Sequence, residues 1–546
     1  MMKTSRVKGR YLDAIKTVQD LIRVSAEVYG ELAAVKFDNK IISYRQLWQD
    51  ICKICSAFNQ YGWRKKRIAL IGTLSYDWLT VFLAIMCSGN IAVPIDSKAD
   101  DIAQKIQASN LSAAYVDANV KSPEKLIDIL GGAVVLGNGL QIEHRHIYQE
   151  DALKPPSPVS RQAVAILVFT SGTTGGSKAV PLTHENVISN TKVCLFYIED
   201  IVGEGGNILP ILPPTHMFEV TTGLLTPFYY GVTICIGGGP KYFRKEVQQF
   251  EPDVLILVPM IVEGVHDKIM TKLLADGKMN AFNRAVKISN FLMKLHIDIR
   301  KLLFKNIHEI FGRNLKIVIC GGAALDSKLI DFFNSVGVVL REGYGITECS
   351  PVIACNKIKK YKKGSVGRIL PEQYGQIAIK NDEICVKGSV VFHGYDEDPE
   401  STSEVLKNGW FHTGDLGYLD KENFLYITGR KKNVIILSDG NNICPEVIEK
   451  YFYRCPYIKS IFVISKIYGE KPLITACIHP DYDYTNDRGI NDIEKEIAAF
   501  VAEVNQNLPP YKRIQKTEFS RTDFQKTMLG KIKRYKYSDE RMANSH

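Results

Sequence analysis

No stretch of this 546-residue chain reads as a membrane span, which needs ~20 mainly apolar residues. The apolar run Leu79–Ile95 is broken by Ser88-Gly89-Asn90 and by Pro94, so it reads as a buried helix, a turn and a strand. The opening segment MMKTSRVKGRYLDAIKTV lacks the apolar core of a signal peptide, and the expected location is cytoplasmic. A disulfide framework is missing as well. The twelve cysteines are scattered through apolar segments, as reduced thiols are. Cys52 and Cys55 form a CxxC, but both fall on apolar positions of the amphipathic pattern Tyr44–Phe58, and no second pair stands at metal spacing. They read as packing rather than zinc or redox chemistry. Internal repeats and low-complexity tracts are also lacking.

What is present is an ordinary enzyme-like composition, 45% hydrophobic and 23% charged, which excludes disorder and a polytopic membrane protein. The length exceeds the ~250–300 residues at which one core stops growing, so at least two domains are expected. Apolar runs at Arg67–Gly72, Ala163–Phe169, Asp253–Val258 and Lys316–Cys320 alternate with helical periods, which argues for parallel sheets covered on both faces. From about Ser350 to Ile427 the strands are short and alternating, with frequent Gly and Asp: Gln376–Lys380, Glu383–Lys387, Phe424–Thr428. That texture suggests a small antiparallel, barrel-like layer. The polar stretch Gly429–Asn433 lies between two apolar strands and is the candidate boundary, followed by a compact α+β region. The expected fold class is therefore α/β: a large N-terminal domain (1–430) of two α/β subdomains plus a small distorted β-barrel, then a small α+β lid (431–546).

Three segments carry chemistry. In Leu167–Val180, LVFTSGTTGGSKAV, a hydrophobic strand enters a Ser/Thr/Gly-rich turn that ends at Lys178. Such a turn offers backbone N–H groups, several hydroxyls and one ammonium to one volume, which is how a loop cradles phosphate oxygens. It is not a Walker A loop, because Ser177 separates the last glycine from Lys178. In Glu342–Glu348, EGYGITE, an aromatic ring stands between glycines ahead of a hydroxyl and a carboxylate. The ring can lie against a purine, Thr347 can bond a phosphate, and Glu348 can hold Mg²⁺, which takes one or two carboxylates plus phosphate oxygens. In Trp410–Asp420, WFHTGDLGYLD, Asp415 sits in a glycine-flanked turn where a carboxylate can accept both hydroxyls of a ribose. Arg430 follows at a strand end.

Together with ITGRKKNVIILSDGNNICPEVIE and the terminal LGKIKR, these segments resemble the adenylate-forming superfamily of acyl- and aryl-CoA synthetases, luciferases and peptide-synthetase adenylation domains. The resemblance covers essentially the whole chain. The wording of Leu212–Gly223 and Gly321–Cys355 is most similar to bacterial long-chain fatty-acid–CoA ligases. It implies a two-step reaction. A carboxylate attacks the α-phosphate of ATP, giving an acyl-adenylate and pyrophosphate, and the thiol of CoA then displaces AMP. A ligase that loads the phosphopantetheine thiol of a separate carrier protein shares every ATP motif and is the alternative.

The resemblance also implies roles. Thr170, Ser171, Gly172, Thr173, Thr174 and Lys178 would hold the β- and γ-phosphates. Gly322, Ala323 and Tyr344 would flank adenine, with Gly345 beside them near the acyl pocket. Thr347 would touch the α-phosphate, Glu348 would bind Mg²⁺, and Asp415 with Arg430 would bind the ribose. His216, after Pro213-Pro214-Thr215, would be a wall or gate of the acyl pocket; a solvent-facing ring in a Pro-rich turn is the other reading. Lys531 would bridge the incoming carboxylate and the α-phosphate, a task for a mobile point charge on a long stem. Lys432 would be the hinge on which the lid swings, and Gly440 would give the thiol arm room.

Ser177 and Ala179 replace the Pro and Gly that commonly flank the loop lysine in this superfamily. Kinase signatures are not found, and intact Lys178, Glu348, Asp415, Arg430 and Lys531 argue against a relic without activity. The lysine-dotted amphipathic stretch Ala281–Phe311 packs as a surface helix or lies on a bilayer as a peripheral contact. The formal charge of +10 is concentrated late in the chain. Lys512–Lys536 holds nine basic and two acidic residues, suited to ATP and to CoA or an acidic carrier, with no need for a nucleic-acid partner.

Overall fold

The structure, a computed structural model, describes residues 11–117, 119–120, 126, 128–130, 134–136, 141–142, 145–146, 155–171, 177–198, 201, 203–436, 442–468, 471–482, 492–527 and 530–537. The chain divides into two compact units. The first comprises 1–172, 176–376 and 386–411, and the second 173–175, 377–385 and 412–546.

The first unit contains two sheets. In one, the strands run in the order Ser177–Thr183, Val164–Ser171, Ile91–Ile95, Arg67–Ile71, Ala113–Val116 and Val134–Leu136. Every neighbouring pair is parallel except the first. Ile68, Ala69, Leu70 and Ile71 are all buried, the continuous apolar run of a strand covered on both faces. The helix Tyr76–Cys87 begins where the Ser75 hydroxyl accepts the Trp78 N–H at 3.0 Å, and it is buried from Trp78 to Cys87. Buried Asn90 and the strand Ile91–Ile95 follow, so Leu79–Ile95 is the helix, turn and strand read from the sequence.

The second sheet is mixed. Its order is Gly367–Ile369, Val352–Cys355, Leu340–Gly345, Ile317–Cys320, Val254–Leu257, Asn207–Ile208, Thr233–Ile236, Ala33–Phe37, Lys40–Ser43. The central pairs are parallel, and the pairs at the two ends are antiparallel. A core of Leu255, Leu257, Phe311, Val318, Ile330 and Phe333 lies against it. The stretch Ala281–Phe311 is not one helix but three, Met279–Lys294, Arg300–Leu303 and Lys305–Phe311. The left-handed His296 (φ 63°) lies in the first break.

In the second unit, Trp410–Leu419 pairs antiparallel with Phe424–Arg430, with Asp415 opposite Arg430. Farther along, Ile458–Tyr468 pairs antiparallel with Lys471–Pro480, which pairs parallel with Lys516–Phe519. The helix Ile493–Gln506 turns Ile493, Ile497, Val501 and Val504 toward a core with Ile448, Phe452, Val463 and Ile474. Those four positions are one helical stripe. The architecture is α/β with a smaller α+β C-terminal part. None of the twelve cysteines forms a disulfide and eleven are buried, Cys52 and Cys55 among them on the helix Tyr44–Gln60. Among the described residues no His, Cys, Asp and Glu group is arranged to hold a metal by itself, and no helix is long and apolar enough to cross a membrane.

Candidate functional site

The Gly-rich segment joins two strands that pair as a hairpin, with Ser171 opposite Ser177 and Thr170 opposite Lys178. Lys178 thus stands on the returning strand rather than in the turn. Gly172, Thr173 and Thr174 lie outside the described residues, as does the Ser171 side chain. The Lys178 ammonium lies 4.6 Å from the centroid of the Tyr395 ring. The Tyr395 hydroxyl in turn donates to Glu348 Oε1 at 2.9 Å. A cation and a buried carboxylate, 170 positions apart in the chain, are therefore linked through one aromatic side chain that the sequence reading missed. Burial first, and the Glu348 charge second, raise the Tyr395 pKa, so its proton stays on the hydroxyl.

The loop carrying Tyr395 is held at several points. Thr402 Oγ1 accepts the Tyr395 N–H at 2.9 Å, and the Asp396 N–H donates to Ala179 O at 2.9 Å. The Asp396 carboxylate receives both arms of the Arg67 guanidinium at 2.7 and 2.9 Å, a bidentate geometry. Glu348 sits on the short turn Thr347–Cys349, directly after the strand that bears Tyr344 and Gly345. A Cβ on Gly345 would stand 2.2 Å from Pro351 O, so only glycine fits there. Two asparagines one helical turn apart on His184–Ile198 hold this region. Asn190 Nδ2 donates to Cys349 O and Val352 O at 2.8 and 2.9 Å. Asn186 Nδ2 donates to Ser389 O and Val391 O at 2.8 and 2.9 Å. Both asparagines are buried. Their i, i+4 spacing puts both on one face of the helix, a signal the sequence held.

Gly322 and Ala323 follow the strand Ile317–Cys320, half-buried, and Tyr344 is half-buried on the adjacent parallel strand. The Phe218 ring lies against Gly321. His216 begins the short helical turn Met217–Glu219 and is half-buried. Its Nε2 is buried and finds no hydrogen-bond partner among the described residues. Burial lowers its pKa, so the ring is neutral at neutral pH. Thr221, just beyond, donates to Ser350 O at 2.9 Å and ties this segment to the one that carries Glu348.

Glu219 is a second residue the sequence reading missed. It is wholly buried; its Oε2 accepts the Leu212 N–H at 2.9 Å, and its Oε1 has no partner among the described residues. Burial pushes its pKa up to about 8 against the pull of the Leu212 and Ile211 N–H groups. A Cβ on Gly223, in the π-helical segment Val220–Leu225, would stand 1.8 Å from that oxygen and would displace the Glu219 carboxyl.

In the second unit Arg430 Nε meets Asp415 Oδ1 at 2.7 Å, with Asp415 buried. Glu383, also missed, holds chain neighbours of both partners. It accepts from the Gly414 N–H at 3.0 Å and from Lys431 Nζ at 2.9 Å, and its Oε2 stands 3.2 Å from His412 Nδ1. Burial works to raise its pKa, but the Lys431 and His412 contacts outweigh it and the carboxyl stays below the usual range. Lys531 stands on a turn closed by Thr527, whose N–H donates to Lys531 O at 2.7 Å. The residue keeps an exposed surface, yet its pKa falls to about 8, through lost hydration first and the Arg430 guanidinium second, against Asp415. Lys432 is exposed, and Gly440 lies outside the described residues.

The model of a family described as AMP-binding enzyme matches residues 22–396. The chain is 29% identical over 444 residues to the long-chain-fatty-acid–CoA ligase FadD15 of Mycobacterium bovis, covering 76% of this chain and 73% of that protein. It is 32% identical over 402 residues to the long-chain-fatty-acid–CoA ligase of Bacillus subtilis, covering 70% and 63%. Among solved structures, the O-succinylbenzoate coenzyme A synthetase (MenE) of Bacillus subtilis, in complex with ATP and magnesium ion, superposes with a TM-score of 0.74. That likeness is 19% identical and covers 94% of this chain and 98% of that one, a likeness of fold.

Proposed function

The chain belongs to the AMP-binding enzyme family as an AMP-forming acid–CoA ligase, and on that premise we propose that its acid is a medium- or long-chain fatty acid, activated with ATP and passed to CoA. A carboxylate oxygen of the acid bonds to the α-phosphorus of ATP and pyrophosphate leaves. The CoA sulfur then bonds to the acyl carbon, AMP leaves, and the thiol proton passes to solvent. The difficulty of the first step is bringing two anions together, so positioning and cationic groups do most of the work.

The linked Lys178, Tyr395 and Glu348 carry this reading. An ammonium suits the outer phosphates of a nucleotide, with Thr170, Ser171, Gly172, Thr173 and Thr174 around them. Glu348, buried with one oxygen held by a neutral hydroxyl, fits Mg²⁺, an ion of oxygen ligands that would neutralise phosphate charge there. Thr347 beside it is assigned to the α-phosphate, Gly322, Ala323, Tyr344 and Gly345 to the adenine side, and Asp415 with Arg430 to the ribose. His216, neutral and half-buried near Phe218, suits an apolar acid. Lys531 is assigned to the carboxylate and α-phosphate. A lid of residues 431–546 hinged at Lys432, with Gly440 admitting the thiol arm, belongs to the same proposal.

The test crosses a panel of acids with CoA and with a phosphopantetheinylated carrier protein, and reads AMP and pyrophosphate. Long-chain acids with CoA are expected to give AMP. Turnover with the carrier alone would move the acceptor to the carrier protein, turnover confined to aryl acids would overturn the fatty-acid reading, and ADP as product would overturn adenylation.

A further inference from the structure

Folding uses only one face of the helix Met279–Lys294. Phe282, Ala285 and Val286 pack on the core of the first unit, with the Phe282 ring 5.6 Å from Phe304 and 5.8 Å from Phe332. The opposite stripe is also apolar. Ile288 and Phe291, and Leu295 just past the helix end, recur at spacings of three and four and are exposed, Phe291 to 62%. The chain then exposes Ile297, and on the next helix Leu302 to 79%, with Leu303 beside it. A soluble protein rarely leaves so many large apolar side chains together in water unless something covers them.

The charges around this stripe say what. Between positions 284 and 305 there are six basic residues and a single acid, Asp298, which Arg300 already binds at 2.7 Å. Lys287, Lys294, Lys301 and Lys305 are exposed and form no ion pair among the described residues. Lysine is depleted at protein–protein interfaces, because burying an ammonium against another protein strips its hydration. At a bilayer the same arrangement is favourable: the apolar side chains enter the acyl boundary, while lysines reach back along their stems to the headgroups.

We propose that residues 284–305 form a docking surface for an anionic lipid bilayer, with Ile288, Phe291, Leu295 and Leu302 inserted and Lys287, Lys294 and Lys301 on the headgroup phosphates. The proposal concerns only binding to the surface and holds whatever acid the enzyme activates. Each basic residue at an anionic surface contributes about 1 kcal/mol, roughly fivefold in partitioning.

The test is co-sedimentation of the purified full chain with phosphatidylcholine vesicles, with and without phosphatidylglycerol. Binding to the anionic vesicles is expected, weakening at high salt. Ile288→Ser/Phe291→Ser and Lys287→Glu/Lys294→Glu should each lower it by more than about tenfold, with the melting temperature unchanged. Wild-type protein that stays in the supernatant with anionic vesicles overturns the proposal, as do variants that bind like the wild type. So does sedimentation velocity showing a self-associated wild type that Ile288→Ser/Phe291→Ser makes monomeric, which would give the surface to a second copy of the chain.

Discussion

Replacing Tyr395 by phenylalanine removes one oxygen and leaves the ring in place. That oxygen donates to Glu348 Oε1 at 2.9 Å, while the ring keeps the Lys178 ammonium 4.6 Å from its centroid. A hydrogen bond to a charged group contributes ~1.5–3 kcal/mol, or about 10- to 150-fold on whatever the carboxylate does. Because Glu348 is assigned to Mg²⁺, the loss should fall on metal dependence. Tyr395→Phe should need more Mg²⁺ for half-maximal pyrophosphate exchange and recover partly when Mg²⁺ is saturating. Tyr395→Leu removes the ring as well, and with it a cation–π contact of ~0.5–2 kcal/mol, which should appear as a further rise in KM for ATP. Exchange kinetics at varied Mg²⁺ and ATP separate the two. A phenylalanine variant with wild-type Mg²⁺ dependence would refute the role given to the hydroxyl. Equal behaviour of the two variants would refute that given to the ring.

With the Lys531 pKa at about 8, kcat/KM for adenylation should fall as pH rises through that value, and Lys531→Arg, charged throughout, should lose this limb; a limb that survives in the arginine variant counts against the assignment. Lys531→Ala should lose ~10²–10³ in pyrophosphate exchange while still converting a supplied acyl-adenylate to thioester, and equal loss of both half-reactions would exclude a lysine used in one step only. Glu219 has a folded pKa of about 8 against 4.5 unfolded, so the folded state holds its proton more tightly and this residue's contribution to stability falls as pH rises from about 4.5 to 8. Glu219→Gln removes that decline, so its melting temperature should gain on the wild type between pH 5 and pH 8; a difference constant with pH would show that Glu219 does not titrate as its burial demands.

Much of the framework was legible from apolar runs alone. Arg67–Ile71, Val164–Ser171, Val254–Leu257 and Ile317–Cys320 are strands where unbroken β-branched segments required them, because a strand buried on both faces has no polar side. Gln376–Lys380 and Glu383–Lys387 were legible through their flanking turn residues. Lys178, Glu348, Asp415 and Arg430 could be picked out because each stands in a Gly-rich segment of unusual composition. What brings them to their partners was not. Tyr395, Glu219 and Glu383 are ordinary residues in ordinary surroundings along the chain, and each acts through a neighbour that only the fold supplies. The break at His296 was hidden because amphipathic periodicity persists across it. Asn186 and Asn190 were within reach, two amides at helical spacing in a segment that also carries Val187, Ile188, Val193 and Leu195, and buried amides of this kind call for partners.

Those two asparagines bind four carbonyl oxygens, of Cys349, Val352, Ser389 and Val391, and touch no side-chain polar group of those residues. A strut that ends on backbone is indifferent to the letter of the code at its far end. Positions 349, 352, 389 and 391 are thus free to drift within the space they fill, while 186 and 190 must keep an amide. In a saturation-mutagenesis library this asymmetry should show as two intolerant columns facing four permissive ones, so that pairwise covariation, which depends on both partners changing, would pass over these contacts.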